Sequence, residues 1–347
     1  MNRTYAALAR ALPPAIRVLR APEMYANATR SFGPIRDYRE DVAGDRLNLA
    51  SSDRLTSAEL RRRGKRLGQM AERDAAIIEQ MHPDAIITDY HFTAPLLPLP
   101  PRTRVFHISH LLGYPSFYRR MMGVDFFPLD KGHILVPGSK EIEEGSGSSS
   151  ASSLRQESFC GMFRWNGWQR LHRRDAAPPR SHVLLFFGST GNGRRIVPAL
   201  LRTIPNRYRV STIAPWLTGA PARSGIHIAA GGNLERFLNK TEAVFCHGGH
   251  GTVMESILQR TPMAIFPHNI EQLEIGRRIE KLRLGILVKQ PFHQLSAGEL
   301  GAIIEQLRTD AVMKASLEQY SALLRRTDGA KQAVSTVLGS VADRAHN

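Results

Sequence analysis

Residues 243–288 read AVFCHGGHGTVMESILQRTPMAIFPHNIEQLEIGRRIEKLRLGILV, and this stretch decides the fold. Short apolar runs bounded by glycine or proline predict strands over 243–246, 263–266 and 285–288. The segments between them predict helices over 252–259 and 271–282, so the stretch is a β-α-β-α-β unit. Its glycines follow a strand. At that edge of an open α/β sheet, a helix N-terminus and backbone N–H groups favour an anion.

The residues around these glycines have side chains suited to a nucleotide. The turn after the first strand, residues 247–251, contains three glycines that let the backbone approach a ligand and take positive φ. Thr252 and the first amides of the following helix can donate to phosphate oxygens. Glu255 lies about one helical turn further on and suits ribose hydroxyls. Glu271 and Gln272 open the next helix, where they suit sugar hydroxyls.

This pattern resembles the donor-binding signature of nucleotide-sugar glycosyltransferases of the GT-B fold, of the UDP-glycosyltransferase and MurG type. The signature runs H-G-G-x-G-T-x-x-E, then through a proline to P-x-x-x-[DE]-Q and a hydrophobic L-G strand. The matching residues here are His247, Gly248, Gly249, Gly251, Thr252, Glu255, Pro262, Pro267, Glu271, Gln272, Leu284 and Gly285. The resemblance implies an α/β fold of two Rossmann-like domains with a donor-binding cleft between them.

The same resemblance implies a role for each matching residue of the donor site. The diphosphate would be bound by His247, Gly249, Gly251 and Thr252, with Gly248 in the same donor-binding turn. Glu255 would bind the ribose, and Glu271 and Gln272 would contact the donor sugar. A metal-binding role for His247 and His250 is the weaker interpretation, because zinc needs three or four converging ligands and the sequence shows no further cluster.

The chain divides into an N-terminal acceptor-side domain (1–165), a donor-binding domain (180–327) and a C-terminal helix (328–347) that we expect to cross back to the first domain. The serine-rich segment 145–153 has the composition of a flexible linker or loop. The donor domain opens with a buried strand and the loop 188–193, where Gly188 and Ser189 are further candidates for donor contacts. Relatives grip the base with a Pro-Gln pair, which residues 231–234 lack, so the base stays open.

The N-terminal half lacks part of the pattern that the resemblance leads one to expect. Arg3 and residues 6–12 match the helix that normally follows a first strand and a glycine- and histidine-containing loop. We therefore expect that strand and loop to be missing, and with them the histidine that acts as base in many relatives. The candidates that remain are Asp89, at the end of a predicted strand, and His91 and His110.

Composition limits the classes of function. The net charge is +16, which fits attraction to an anionic membrane surface or a solvated surface in an arginine-rich proteome. The basic residues are spread out without a nucleic-acid-binding motif, so no nucleic acid is expected as partner. Two distant cysteines, Cys160 and Cys246, read as buried thiols. With neither a signal peptide nor a membrane span in the sequence, we predict a cytoplasmic protein, peripheral on the inner face of the membrane in the lipid-acceptor interpretation.

These features predict a glycosyltransferase that moves a sugar from a nucleoside diphosphate donor, a UDP-sugar, to a hydroxyl of a lipid or other hydrophobic acceptor. The sequence contains no Asp-x-Asp pair, so we expect a metal-independent and inverting transfer with no cofactor. Two alternatives remain open. One is a nucleotide-sugar 2-epimerase of the same fold, and the other is a non-catalytic nucleotide-sugar-binding protein.

Overall fold

The structure is a computed structural model that describes residues 11, 65, 69, 71–72, 74–89, 103–110, 132–143, 156–163, 181–187, 193–217, 224–268 and 270–342. Asp89 and Ile270 are described in backbone only. The expectations for the chain start, for the linker 145–153 and for His91, Gly188 and Ser189 lie outside these residues.

The described strands are all parallel and form two sheets. The first sheet has the order β1-β2-β3-β4, with β1 (Ala85–Asp89), β2 (Arg104–Ile108), β3 (His133–Val136) and β4 (Gln156–Phe159). The second has six strands: β5 (Ser181–Phe186), β6 (Val210–Ile213), β7 (Ile226–Ala229), β8 (Thr241–Cys246), β9 (Met263–Ile265) and β10 (Gly285–Leu287). Their order is β10-β9-β8-β5-β6-β7.

Helices lie between these strands in the sequence and also follow the last strand. In chain order they are α1 (Lys140–Glu143), α2 (Gly193–Thr203), α3 (Leu234–Leu238), α4 (His250–Leu258), α5 (Ile270–Lys281), α6 (Ala297–Thr309), α7 (Ala311–Arg325) and α8 (Gly329–Ala342). A 3-10 turn (Phe292–Gln294) precedes α6, and residues 74–81 are also helical. In the part of the chain that the structure describes, no helix is long and apolar enough to cross a membrane.

Contacts divide the chain into two compact units. The first contains β1–β4 together with α8, and the second contains β5–β10 with α2–α7. In the first unit, three residues of α8 (Ala333, Val334 and Val337) share a core with side chains of the sheet: Phe106, Ile108, Leu135 and Cys160. The last helix of the chain is therefore part of the core of the first unit.

The last four residues of β8, one of the two central strands of the second sheet, are fully buried. In β8, the side chains of residues 243–246 are 0% exposed, as expected for a parallel strand covered by helices on both faces. The strand order runs outward from β5 to β7 on one side and from β8 to β10 on the other, so it reverses between β5 and β8. In doubly wound sheets, ligands bind outside the carboxyl ends of the strands at such a switch point. The loop after β8, which carries the three glycines of the motif, lies there.

Both cysteines are free and buried, which confirms the prediction of buried thiols. Burial raises the pKa of each thiol to about 12, so both stay protonated near neutral pH.

One predicted strand is displaced in the structure. The apolar residues 159–163 predict the last strand of the first domain, but β4 ends at Phe159. Cys160 N–H still donates to Val136 O at 2.9 Å, and Gly161 then takes φ +84°, which ends the extended backbone. The prediction of a strand over 159–163 is wrong for this reason.

Candidate functional site

The N-terminus of α4 is the centre of the candidate site. Its N-cap residue is Gly249, with φ −63° and ψ 134°, and no side chain makes a cap hydrogen bond there. The helical hydrogen bonds begin with the N–H groups of Thr252 and Val253, which donate to Gly249 O at 2.9 and 3.1 Å. The positive end of the helix dipole therefore faces the loop after β8 without a side-chain oxygen upon it.

The three glycines of this loop meet different surroundings. A Cβ atom on Gly248, which has φ +86°, would lie 2.7 Å from Ile265 Cγ2. A Cβ atom on Gly249 would lie 2.6 Å from His247 Nε2. At Gly251 no atom of the residues that the structure describes would come within 4 Å. Backbone conformation and packing thus require glycine at Gly248, whereas a side chain at Gly249 would have to displace the His247 ring and one at Gly251 would meet none of the described residues.

Two histidines follow neighbouring strands beside this loop. His247 directly follows β8 and is buried, and His268 lies in the loop after β9. The backbone N–H of His268 donates to Gln272 Oε1 at 2.8 Å. The centroid of the His268 ring lies 6.2 Å from the centroid of the Phe187 ring. Burial, and secondarily the nearby His247, lowers the pKa of His268 to about 4. His268 is therefore a neutral imidazole near pH 7.

The other predicted donor residues lie on α4 and α5. Thr252 is 8% exposed, and Glu255 is partly buried, its Oε1 accepting a hydrogen bond from Gln259 Nε2 at 2.8 Å. Gln272 is buried, and its backbone carbonyl oxygen would lie 3.2 Å from a Cβ atom on Gly248. The structure thus brings the start of α5, which also carries Glu271, against the glycine loop.

The opposite end of α4 is held by α7. Both the Ser321 hydroxyl and Arg325 Nη2 donate to the carbonyl oxygen of Leu258, at 2.8 and 2.6 Å. A cationic donor at a helix C-terminus also interacts favourably with the helix dipole. Contacts within the protein therefore satisfy the C-terminus of α4, whereas among the described residues no side chain makes a cap hydrogen bond at its N-terminus.

The predicted base candidates belong to the first unit. Asp89 is the last residue of β1, and His110 follows β2 and is 8% exposed. Both residues lie at the carboxyl ends of their strands. Because β1 and β2 are parallel neighbours, these two ends lie at the same edge of the first sheet.

Sequence reasoning missed three residues at the carboxyl edge of the second sheet: Phe187, Trp216 and His268. The ring of Phe187 lies 5.9 Å from that of Phe266, and the guanidinium of Arg194 lies 6.0 Å from the ring of Trp216. Each missed residue lies one to three positions beyond the end of a strand. Such positions are exposed to a ligand in this fold, and this was the signal available in the sequence.

No cluster of three or more histidine, cysteine or acidic side chains able to hold a metal ion occurs among the described residues.

Comparison with known proteins connects this geometry to one fold. No protein family model matches the chain. A UDP-sugar-dependent glycosyltransferase 52 of Dictyostelium discoideum is 33% identical over 98 residues, which are 28% of this chain and 6% of that protein's length. The chain thus aligns with only a small part of this curated relative.

Solved structures match over most of the chain. The glycotransferase of kitacinnamycin has a TM-score of 0.64 at 16% identity and covers 82% of this chain and 83% of its own. CalG4, the calicheamicin glycosyltransferase, has a TM-score of 0.61 at 16% identity, with 83% of each chain covered. The spinosyn rhamnosyltransferase SpnG in complex with thymidine diphosphate has a TM-score of 0.55 at 17% identity, with 84% of each covered. The chain therefore has the GT-B glycosyltransferase fold, and the predicted fold class is confirmed.

Proposed function

We propose that this chain is a glycosyltransferase that moves a sugar from a UDP-sugar to a hydroxyl group of a lipid or another hydrophobic acceptor. The observation that carries the proposal is Gly251. It is the second residue of α4, next to the N-cap residue Gly249, and none of the described residues lies within 4 Å of a Cβ atom placed on it. Glycine in a helix costs about 0.5–1 kcal/mol relative to alanine. A diphosphate bound against the N-terminus accounts for a glycine that the protein's own packing does not require.

The position of each residue supports its proposed contact with the donor. His247, Gly249, Gly251 and Thr252 bind the diphosphate, which places it at the positive end of α4. Glu255 lies further along the same helix and binds the ribose. Glu271 and Gln272, at the start of α5 beside the loop, contact the sugar.

The names of the related proteins support the type of donor. The Dictyostelium relative is named as dependent on UDP-sugars, and SpnG was solved with thymidine diphosphate. Both nucleotides are pyrimidine nucleoside diphosphates, which supports a donor of that class.

The transfer proceeds without a metal and inverts the anomeric configuration. The acceptor oxygen attacks the anomeric carbon on the face opposite the diphosphate. The bond between that carbon and the diphosphate oxygen breaks, and its electron pair leaves with the diphosphate. Backbone N–H groups and the dipole of α4 stabilise the charge that develops there. The acceptor's proton passes to a base, for which Asp89, His91 and His110 are the candidates.

The net charge of +16 supports a lipid acceptor reached at the inner, anionic face of a membrane. Glycosyl transfer to a lipid acceptor should then be faster on vesicles that contain anionic lipid than on neutral vesicles. Equal rates on both would contradict the membrane contact.

The proposal is tested by Gly251→Ala with Gly298→Ala as the matched control. Gly298 is likewise the second residue of its helix, α6, and the nearest atom to a Cβ there, Ser296 Oγ, is 3.9 Å away. Both changes should stabilise the fold by about 0.5–1 kcal/mol. Only Gly251→Ala should weaken UDP binding, by about tenfold or more, because its methyl group occupies the diphosphate position. Calorimetric titration with UDP measures the affinity, and urea denaturation measures the stability.

Four outcomes would contradict the proposal. A folded wild-type protein that does not bind UDP, dTDP or GDP would refute the donor site. Equal UDP affinities of Gly251→Ala and wild type would contradict diphosphate binding at the N-terminus of α4. If UDP binds as expected, release of free UDP with an epimerised sugar and no acceptor would identify a 2-epimerase, and binding without turnover would identify a binding protein.

A further inference from the structure

The two edges of the second sheet differ in charge. All six strands are parallel, so their first residues lie at the amino edge of the sheet and their last residues at the carboxyl edge. Before each strand, at least one of the three preceding residues is an arginine or a lysine, and none is acidic. After the strands, Lys289 is the only arginine or lysine within three residues. Positive charge is therefore concentrated at the edge opposite the glycine loop.

Three cations of the amino edge are exposed and pair with no carboxylate among the described residues. They are Arg209, directly before β6, Lys240, directly before β8, and Arg283, two residues before β10. In the sheet, β10, β8 and β6 alternate with β9 and β5. Neighbouring strands are about 4.8 Å apart, so the starts of these three strands follow one another at intervals of about 10 Å. We call Arg209, Lys240 and Arg283 the basic row.

Three carboxylates at this edge pair with other cations. Arg308, near the end of α6, pairs with Glu242, the second residue of β8, and at 3.0 Å with Glu305. Arg260, three residues before β9, pairs with Glu318 of α7 at 2.9 Å. Each of these carboxylates already has a cationic partner, so the basic row keeps its positive charge.

Local structure accounts for only part of the basic row. Arg283 follows α5 with φ +54°, in the left-handed region where glycine is favoured over residues with a side chain. A cation near a helix C-terminus is stabilised by the helix dipole, but this effect falls off within the last turn. Arg209 stands six residues beyond the end of α2, outside that range. An anionic partner explains the row better than the folding of the chain does.

An exposed apolar side chain lies near the row. Val312, the second residue of α7, is 50% exposed, and it is the one exposed large apolar side chain among the described residues. It follows Arg308, which contacts the start of β8, by four residues, and four residues span at most about 14 Å. Cations beside an exposed apolar side chain are features that attach a protein to the interface of an anionic bilayer.

We propose that the basic row and Val312 dock this protein on an anionic lipid bilayer. The inference rests on the membrane contact of the proposed function and assigns that contact to one face of the second unit. The cations attract the anionic headgroups, and Val312 enters the interface. β8 has six residues, so the glycine loop at its other end stays about 20 Å from the lipid, in the water that supplies the nucleotide-sugar.

The test removes the three charges of the row in one variant, with Arg209→Gln, Lys240→Gln and Arg283→Gln. The matched control removes the same charge from three exposed lysines outside the row: Lys65→Gln, Lys289→Gln and Lys331→Gln. Sedimentation with vesicles of phosphatidylcholine and phosphatidylserine measures binding. The row variant should bind roughly 100-fold more weakly than wild type, about fivefold for each cation, whereas the control should lose far less. Neither variant should change the UDP affinity measured by calorimetry.

A single substitution keeps the inference testable if the row variant does not fold. Arg283→Gly suits the φ of +54° and should fold at least as stably as wild type, yet bind the vesicles about fivefold more weakly. Arg283→Lys keeps the charge and should bind them as wild type does.

The inference is overturned if the row and control variants lose vesicle binding equally, or if Arg283→Gly binds as wild type does. It is also overturned if the row variant loses binding to poly-glutamate but not to vesicles, which would identify an acidic protein as the partner. A wild-type protein that does not bind the anionic vesicles would refute both this inference and the membrane contact of the proposed function. Absence of UDP binding would instead refute the donor site and leave this inference standing.

Discussion

Two helices of the second unit, α4 and α6, begin in opposite ways. At α6 the Ser296 hydroxyl accepts a hydrogen bond from the Glu299 N–H at 3.2 Å, and Glu299 Oε2 accepts one from the Ser296 N–H at 2.8 Å. This reciprocal pair is a complete capping box. At α4 the N-cap residue is Gly249, which has no side chain to offer.

Among the described residues, α6 thus has a side-chain cap at its N-terminus and α4 has none. A serine cap contributes about 1 kcal/mol relative to alanine, and α4 forgoes such a contribution. The neighbouring helices α3 and α7 also have side-chain caps, from Asn233 and Asp310. The open start coincides with the switch point of the sheet, where the fold favours a ligand. A bound anion at α4 would thus do for that helix what Ser296 and Glu299 do for α6.

The largest expected effect on stability is at Gly248, in the loop that precedes α4. Alanine at Gly248 would have to adopt φ +86°, which costs about 1–2 kcal/mol, and overpacking against Ile265 adds about 1–3 kcal/mol. We expect Gly248→Ala to lower the free energy of unfolding by about 3 kcal/mol in urea denaturation.

Gly225→Ala is the matched control for this change. Gly225 has φ +84°, but the nearest atom to its Cβ position is 3.6 Å away, so only the backbone cost of about 1–2 kcal/mol applies. Equal losses for the two variants would show that the loop before α4 is not tightly packed.

The next effect concerns the charge of His268. Its folded pKa of about 4 lies below the ordinary 6.5, so between these values the unfolded chain binds a proton that the folded protein does not. The stability associated with this group is therefore present above pH 6.5 and is lost as pH falls towards 4. At pH 5 the loss is about 2 kcal/mol relative to pH 7.5.

His268→Phe removes this titration while keeping an aromatic ring beside Phe187. Urea denaturation at pH 7.5 and pH 5 should show a smaller loss for the variant than for wild type. Parallel losses in the two proteins would mean that His268 is protonated in the folded state at pH 5.

The smallest effect is at α6, and it sharpens the contrast with α4. Ser296→Ala should cost about 1 kcal/mol of stability and leave UDP affinity unchanged, whereas Ser296→Thr should retain the cap. Hydrogen bonds from Ser296, first its backbone N–H, lower the pKa of Glu299 below 4.5. The contribution of Glu299 is therefore present above pH 4.5 and is lost as pH falls through the lowered value. A change of UDP affinity in Ser296→Ala would break the distinction between the two helix starts.

The second unit could be predicted closely because its residues obey local rules. The apolar runs over 243–246, 263–266 and 285–288 match β8, β9 and β10 to within two residues at either end. The predicted helices agree equally well, and the larger of their shifts is at α4, which begins at His250 and not at Thr252. The three glycines of residues 247–251 predict a turn. In the structure, only Gly248 and Gly249 precede the helix, and Gly251 is already its second residue.

The first unit was harder to predict because its pairings depend on distant contacts. β4 is the polar segment Gln156–Phe159, which is half-exposed at the edge of its sheet and has no apolar run. The four-residue strand β3, which pairs with it from His133 opposite Gln156, was not predicted at all. Likewise, the lowered pKa of His268 arises from burial beside His247, a proximity between two strand ends that sequence spacing does not show.

The place of α8 has a consequence for how the chain reaches its native state. The core that contains Phe106 and Leu135 is completed only when Ala333 and Val337 pack against it. Those two residues are synthesised after the whole second unit. Domains of a nascent chain generally fold in order from the N-terminus. Here the described part of the second unit can close its own core on the ribosome, while the first waits with exposed apolar surface for a late helix. We therefore expect folding of this chain to end with the unit whose strands are translated first.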